Sequence, residues 1–311
     1  CRLNSRITMT IKYNFLRESK VHLVHGGSRY LLVTGPDVSF SQTFAEDAYE
    51  VKTLHDQTKM FQGTSITKAN PANFSFAVHL TQEKDETIVK SLLTDYDTTN
   101  GEQLLKSFDL YIVTGESTFK LEGCVITQGE FNLAKGSPLI LTVSGAAKKL
   151  SRVGNASYSL PGSLVSASST RTPTLSLIDV EVDSVDVPNL ATTTLQVQNN
   201  INWTPFETLQ NSLSVTNAGN AMYPTTYTLG DRVVSGNITQ YITSDNSATF
   251  QSFNTLETIG IKTIVNGSTF LNANLAGCMF TKRSSVTEIY TQTIDFRLVT
   301  SPANLGTIIT Y

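Results

Sequence analysis

The chain has 311 residues, of which 40% are hydrophobic and 16% are charged, and its formal net charge is −3. This length can supply the cores of two ordinary domains, and the small negative charge excludes a chain-wide basic surface for nucleic acid. Three cysteines are too few for a disulfide framework. No apolar run approaches the ~20 residues of a membrane-spanning helix, so we expect no membrane partner. Ser, Thr and Asn are abundant, which is typical of all-β proteins.

The first half of the chain predicts a series of antiparallel strands with one helix. The helix is predicted over Lys84 to Leu93, because Thr81 can cap it, acidic residues fill its first turn and apolar residues recur on one face. Alternating apolar residues or glycine turns mark the strands. The predicted strands are Lys20 to His25, Arg29 to Val33, Val38 to Phe44, Phe74 to Leu80, Phe108 to Val113, Phe119 to Thr127 and Leu139 to Ser144.

A long polar segment, Ala45 to Pro71, separates the third and fourth of these strands. A loop of this length in a compact domain is usually functional or disordered. Its charged residues are of both signs, and the candidate site residues among them are Glu46, Asp47, Glu50, Lys52, Asp56, Lys59 and Lys68.

A segment rich in Ser, Ala, Gly and Pro, Asn155 to Pro173, is predicted to be a linker. We therefore predict a first β domain over 9–154, a linker over 155–173 and a second β domain over 174–311. The start at residue 9 is the position of the first methionine, and whether residues 1–8 are native stays open.

The second half repeats features of the first in the same order. A hairpin turn followed by Ser-Thr-Phe and then Gly-Cys occurs at 115–124 and again at 267–278. Trp203 aligns with Phe40, Ile238 aligns with Phe76, and the closing strand Ile294 to Leu298 aligns with Leu139 to Val143. Its outward face is expected to carry Thr291, Thr293, Asp295 and Arg297. The repeat predicts one domain made twice.

The second half opens with alternating acidic and apolar residues from Ile178 to Asp183. Three interpretations stay open for Asp179, Glu181 and Asp183: a solvated face, a calcium site, or an acidic surface that contacts a partner. Calcium takes carboxylate oxygens, but acids two residues apart on a rigid strand are widely spaced for one ion.

No motif in the chain predicts catalysis. His22 and His25 are close in sequence but have no neighbouring Cys or carboxylate at metal-ligand spacing, and there is no nucleophile elbow, phosphate loop or dinucleotide fingerprint. We therefore expect a protein that is not an enzyme, without catalytic, cofactor or metal residues.

The order of strand, long charged loop, strand, helix, hairpin and closing strand across Met9 to Gly154 resembles a bacteriophage tail tube protein. The segments Gly123-Cys124-Val125-Ile126-Thr127 and Leu141-Thr142-Val143-Ser144-Gly145 carry the resemblance. The second half departs more, because its helix region is shorter. The resemblance implies two tandem antiparallel β-sandwich or partial-barrel domains, with one or two short helices.

The resemblance also implies a function, that of a major tail tube subunit in the virion tail, assembled in the host cytoplasm. Six such domains form a ring by joining their sheets, the rings stack into a tube, and DNA passes through the lumen without specific binding. The loop from Ala45 to Pro71 would then reach the adjacent ring. Tape measure, terminator and baseplate proteins are the other partners implied.

Two matched domains in one chain favour a trimeric ring over a hexamer in which 9–154 alone forms the barrel. Basic residues near the start of the first half, Arg17 and Lys20, are hypothesised to face the acids Asp179, Glu181 and Asp183 of the second half around that ring. The rival functions are a baseplate or decoration protein and a carbohydrate-binding β-sandwich. A single tryptophan, Trp203, counts against the last of these.

Overall fold

The computed structural model describes residues 16–32, 38–49, 63–81, 87–97, 104–166, 172–203, 223–244, 256–286, 288–300 and 305–311. Within these ranges the chain is largely antiparallel β-structure with one α-helix, α1 (Thr87–Thr94), so the all-β prediction is confirmed. The predicted start of that helix, residues 84–86, lies outside the described residues. No helix in the described ranges is long and apolar enough to cross a membrane.

Every strand predicted in the first half is present, with ends that differ by a few residues. The predicted strand from Val38 to Phe44 is divided in two by a short break after Ser41. The strands up to residue 165 are β1 (Lys20–His25), β2 (Ser28–Leu32), β3 (Ser39–Ser41), β4 (Phe44–Tyr49), β5 (Gly63–Ala69), β6 (Ala72–His79), β7 (Tyr96–Asp97), β8 (Leu104–Leu105), β9 (Phe108–Val113), β10 (Thr118–Asn132), β11 (Ile140–Ala147), β12 (Lys149–Gly154) and β13 (Ser163–Val165).

The strands of the second half are fewer and longer. They are β14 (Leu177–Val182), β15 (Val185–Asp186), β16 (Leu190–Trp203), β17 (Tyr227–Tyr241), β18 (Glu257–Val265), β19 (Ser268–Val286), β20 (Tyr290–Leu298) and β21 (Ile309–Thr310).

Strand β10 belongs to two sheets, and this positions the core between them. Its first part pairs with β9 and β12, in a sheet that continues through β1 and β2. Its second part pairs with β11, in a sheet that continues through β6 and β3. The change follows a register shift between Leu121 and Cys124, where Gly123 has a φ of 61°. A glycine fits this position because other residues are strained at positive φ.

The second half repeats this pattern of pairing. β19 pairs first with β18 and β21 and then with β20, and β18 pairs with β14 of the β14–β15 hairpin. Gly277 has a φ of 83°, and the Cys278 thiol lies 3.5 Å from the Leu275 carbonyl, as the Cys124 thiol lies 3.5 Å from that of Leu121. The predicted domain limits of 9–154 and 174–311 stay a prediction.

The pairings correct two of the alignments made from sequence. Val143 lies opposite Phe76, and Ile294 lies opposite Ile238, the predicted match of Phe76. Ile294 therefore corresponds to Val143 and not to Leu139. Alternation of apolar and polar residues looks the same after any even displacement, so the pattern could not distinguish the two.

The match of Trp203 with Phe40 is wrong for the same reason. Phe40 pairs with Phe74, whereas Trp203 pairs with Tyr227, far along β17 from Ile238. By pairing, Leu195, which lies opposite Gly236, takes the position of Phe40.

Part of the predicted linker belongs to the first sheet. β13 runs parallel to β2, and the Arg29 Nη1 donates a hydrogen bond of 2.7 Å to the Leu160 carbonyl. An exposed strand edge presents unpaired backbone groups that any extended segment can use. The sequence predicts a spacer here because the segment is rich in Ser and Gly and its apolar residues show no periodicity.

Candidate assembly interface

The two halves are joined by strand pairing. β10 pairs with β16 from Gln128, opposite Gln198, to Phe131, opposite Leu195. Phe131 and Leu195 are fully buried in the core cluster that spans both halves. The pairing makes one continuous antiparallel sheet in the order β3-β6-β11-β10-β16-β17-β20-β19, with four strands from each half.

The face of this sheet that points away from the core is rich in hydroxyl and amide groups. Neighbouring side chains bond to each other on it, as Thr239 does to Thr293 at 3.0 Å and Arg283 to Asp295 at 2.6 Å. The predicted outward direction of Thr291, Thr293, Asp295 and Arg297 is therefore correct, since the residues between them are buried. Other residues on this face are Asn73, Ser75, Gln128, Glu130, Thr142, Ser144, Thr194, Gln196, Gln198, Ser235 and Asn237.

Polar side chains of the second half complete the end of helix α1 in the first half. The Arg232 Nη2 donates to the carbonyls of Leu93 at 2.9 Å and Thr94 at 3.0 Å. The Asn199 side-chain amide donates to Leu93 and Ile126, and its oxygen accepts a bond of 2.7 Å from Arg232. The last carbonyls of a helix have no partner within it, so these bonds satisfy groups that would otherwise be buried unpaired.

Asn199 was missed by sequence reasoning, although β16 contains a signal for it. Leu195 and Val197 point inward, and Asn199 occupies the next inward position with 1% of its surface exposed. A buried amide in an apolar row indicates a specific partner. Arg232 lies in a polar strand and carries no comparable signal.

The last described residues of the chain also contact the first half. The Lys90 ammonium on α1 donates to the carbonyls of Gly306 and Ile309, and the Tyr311 hydroxyl donates to the Thr81 carbonyl at 2.6 Å. Burial lowers the pKa of Lys90. At a third contact, burial raises the pKa of Tyr227 to about 12, which keeps its hydroxyl protonated as a donor to Leu105.

The predicted long loop is a hairpin at its base. β4 pairs with β5 from Phe44, opposite Ala69, to Tyr49, opposite Gly63. Of the candidate residues, Glu46 and Asp47 lie on β4 and Lys68 lies on β5. The segment is predicted to be a loop because it is polar. A polar segment can also form a pair of strands, so its composition alone could not distinguish the two. Glu50, Lys52, Asp56 and Lys59 lie outside the described residues.

The charged residues predicted to pair around a ring lie on separate elements. Lys20 begins β1, and the Arg17 Nε lies 3.9 Å from the carboxylate of Glu18 in the turn before it. Glu181 on β14 forms an ion pair with Lys262 of β18. Among the described ion pairs of one chain, none joins Arg17 or Lys20 to Asp179, Glu181 or Asp183. Pairing of these residues between copies stays a prediction.

Only two of the three predicted acids share a face. Asp179 and Glu181 lie on β14, but Asp183 lies in the turn that follows, at a φ of 49°, where its carboxylate accepts a bond of 2.7 Å from the Thr258 amide. β14 ends at Val182, so Asp183 is not part of the acidic face of that strand. Its carboxylate contacts β18 within the same chain instead.

A carboxylate from β15 joins Asp179 and Glu181, and sequence reasoning missed it. Oxygens of Asp179, Glu181 and Asp186 all lie within 4.8 Å of one another, because Asp186 pairs with Glu181 across the hairpin. Burial, then the charges of Asp186 and Glu181, raise the pKa of Asp179, while Lys262 opposes them. These oxygens are of the type that calcium binds, and Lys262 already supplies a positive charge there.

The fold and its junction define a class of protein. The main sheet of this β-sandwich runs through both halves and ends at β3 on one side and at the later part of β19 on the other. Strand edges of this kind can pair with another chain, which suits a structural role in a larger assembly. The chain belongs to the Bacteriophage Baseplate Tube Protein Family, whose model matches residues 11–311. No curated protein sequence matches it. The protein is therefore a structural component of the phage tail or baseplate, in agreement with the resemblance to phage tail proteins.

Proposed function

We propose that this protein is a tube subunit that polymerises into stacked rings, which form a hollow conduit for phage DNA. The observation that carries the proposal is the β10–β16 pairing, which joins four strands from each half into one sheet. Sheets twist, and a wide one curves, so repetition of this junction between copies provides a closed wall.

Three copies would supply six halves to each ring. Among the described strands of the continuous sheet, β3 and the later part of β19 are the terminal ones. A terminal edge is protected when a neighbouring copy pairs with it. Contacts between unlike ends of identical copies close into a ring when the rotation allows it. Both halves would then contribute strands to the wall.

The hydroxyl- and amide-rich face of the sheet would line the lumen. Affinity for DNA depends mainly on neutralisation of phosphates by Lys and Arg. On this face Arg283 is paired with Asp295, and the acid Glu130 offsets the charge of Arg297, so the face offers few such contacts and DNA would pass without specific binding. No enzymatic activity is part of this proposal.

Stacking would use the hairpin of β4 and β5, which extends from the edge of the sheet at β3. Its charged residues would meet the next ring. The same tube would contact tape measure, terminator and baseplate proteins at its ends, and it would be assembled in the host cytoplasm.

The second candidate function is a baseplate part, which the family's own description favours. In that case the protein would form a short tube segment or a single ring within the baseplate. Electron microscopy of the purified protein tests both functions. Stacked rings of variable length support the tail tube, single or paired rings support the baseplate part, and monomers at all concentrations contradict both.

A further inference from the structure

One end of the second half exposes apolar side chains whose counterparts in the first half are buried. The Leu80 amide donates to the Leu139 carbonyl at 3.0 Å, and the Ile242 amide donates to the Tyr290 carbonyl at 2.9 Å. These bonds close the β6–β11 and β17–β20 pairs at the same point, so Ile242 corresponds to Leu80 and Tyr290 to Leu139. Leu80 and Leu139 are 0% exposed, whereas Ile242 is 39% and Tyr290 is 58% exposed.

The first half is covered at this end by segments of the second half. Leu175, just before β14, exchanges backbone hydrogen bonds of 3.0 Å with Gly136 and Ser137 in the β10–β11 turn. The C-terminal residue Tyr311 bonds to Thr81, next to Leu80. Leu80, Leu139 and Leu175 lie in one buried cluster, which Tyr311 also contacts.

Each covering segment has a counterpart in the first half. Residues 174–176 precede β14, as residues 16–18 precede β1, and β14 and β1 pair with the equivalent strands β18 and β9. The C-terminal segment pairs along the first part of β19 through β21, as β12 pairs along the first part of β10. Every copy of the chain therefore carries a second set of covering segments. Among the described residues, Ile242 and Tyr290 of the same chain remain exposed, and β12 contacts its own second half elsewhere, through the Lys149 ammonium, 4.7 Å from the centre of the Tyr223 ring.

We infer that Ile242 and Tyr290 form a contact surface between copies, which residues 16–18 and β12 of a neighbouring copy cover. The occupant is a second copy of this chain, because every copy carries residues 16–18 and β12. The equivalent segments of the second half already cover the equivalent end of the first half within one chain. The inference rests on the proposed function, since it requires copies to follow one another as the two halves do.

A photoreactive phenylalanine analogue placed at position 290 of the full chain tests the contact directly. Irradiation of the assembled protein should give covalent dimers, with cross-links in residues 16–18 or 149–154 of the neighbouring copy. The same probe at Leu164, an exposed apolar residue on β13, is the matched control and should not label those segments. Assembled rings whose cross-links from position 290 fall elsewhere would overturn the inference and leave the proposed function intact.

A double substitution gives an independent readout. Ile242→Thr with Tyr290→Ser should raise the concentration for half-maximal assembly roughly tenfold or more, because buried aromatic anchors dominate interface affinity. Thermal unfolding of the monomer should change little, since both side chains are exposed in one chain, and Leu164→Ser should leave assembly unchanged. Equal assembly of the double variant and the unaltered protein contradicts the contact. An unaltered protein that never assembles contradicts the proposed function first.

Discussion

At the scale of single residues, Arg232 connects the two halves directly through its side chain. It donates to two carbonyls at the end of α1 and to Asn199. Arg232→Ala should lower the free energy of unfolding by about 1–3 kcal/mol, because it leaves buried acceptors without a donor. Urea unfolding of the full chain measures this. The exposed Arg297→Ala is the control, and equal effects of the two variants would contradict the role assigned to Arg232.

Close packing at Gly145 gives a second prediction. A Cβ atom there would lie 2.3 Å from both the Phe74 ring and the Val125 carbonyl. The second half reverses this pair, with Gly236 beneath the ring of Phe296. Gly145→Ala should therefore cost about 1–3 kcal/mol of stability, as overpacked substitutions do.

A matched control for that variant is Gly260→Ala, whose Cβ would meet its nearest atom at an ordinary 3.5 Å. Combining Gly145→Ala with Phe74→Leu should cost less than the sum of the two single substitutions. Strict additivity in denaturant unfolding would show that the ring does not fill the space over Gly145.

The two buried thiols predict a pH-dependent reactivity. Burial raises the pKa of Cys124 well above its usual value and that of Cys278 to about 12. Because the thiolate is the reactive form, neither cysteine should be alkylated in the folded protein at pH 8, and both should react after unfolding. Mass spectrometry of peptides after brief iodoacetamide treatment checks this, and labelling of Cys278 before unfolding would contradict it.

At the scale of elements, the sequence predicted strands far better than their connections. The alternation in β6 and the glycine turn of the β1–β2 hairpin are local signals, and the structure contains both. The junction of β10 with β16 depends on residues far apart in the chain, as do Arg232 and Asp186 in their sites. The residues near a strand edge in the sequence do not indicate which distant strand will pair with that edge. The junction and the two sites could therefore not be predicted from the sequence.

The hairpin of β4 and β5 provides the prediction at this scale. It forms a separate two-stranded sheet whose first pair joins Phe44 to Ala69. Replacing Asp47 to Lys68 with a short turn should leave a folded subunit, because shortening a surface connection changes closure entropy only slightly. The variant should form rings that do not stack. Circular dichroism and electron microscopy together check this, and stacked tubes of normal length would rule out the hairpin as the contact between rings.

At the scale of the whole molecule, the acidic face of β14 tests whether charge orders the halves around a ring. Reversal of Asp179 and Glu181 to Lys should slow assembly at low salt, where attraction between surfaces of opposite charge is least screened. Asp183→Asn is the control, because the amide oxygen can still accept from Thr258. Light scattering follows the rate, and unchanged rates at low salt would end the hypothesis of charge pairing with Arg17 and Lys20.

In the proposed ring, both halves of one chain build the same wall. A cross-section of the assembled ring by electron cryomicroscopy tests it most directly. We expect three chains in each layer, with pseudo-sixfold symmetry and with β16, β17, β19 and β20 in the wall beside β3, β6, β10 and β11. Six chains in each layer, with residues 174–311 outside a wall made by the first half alone, would contradict it.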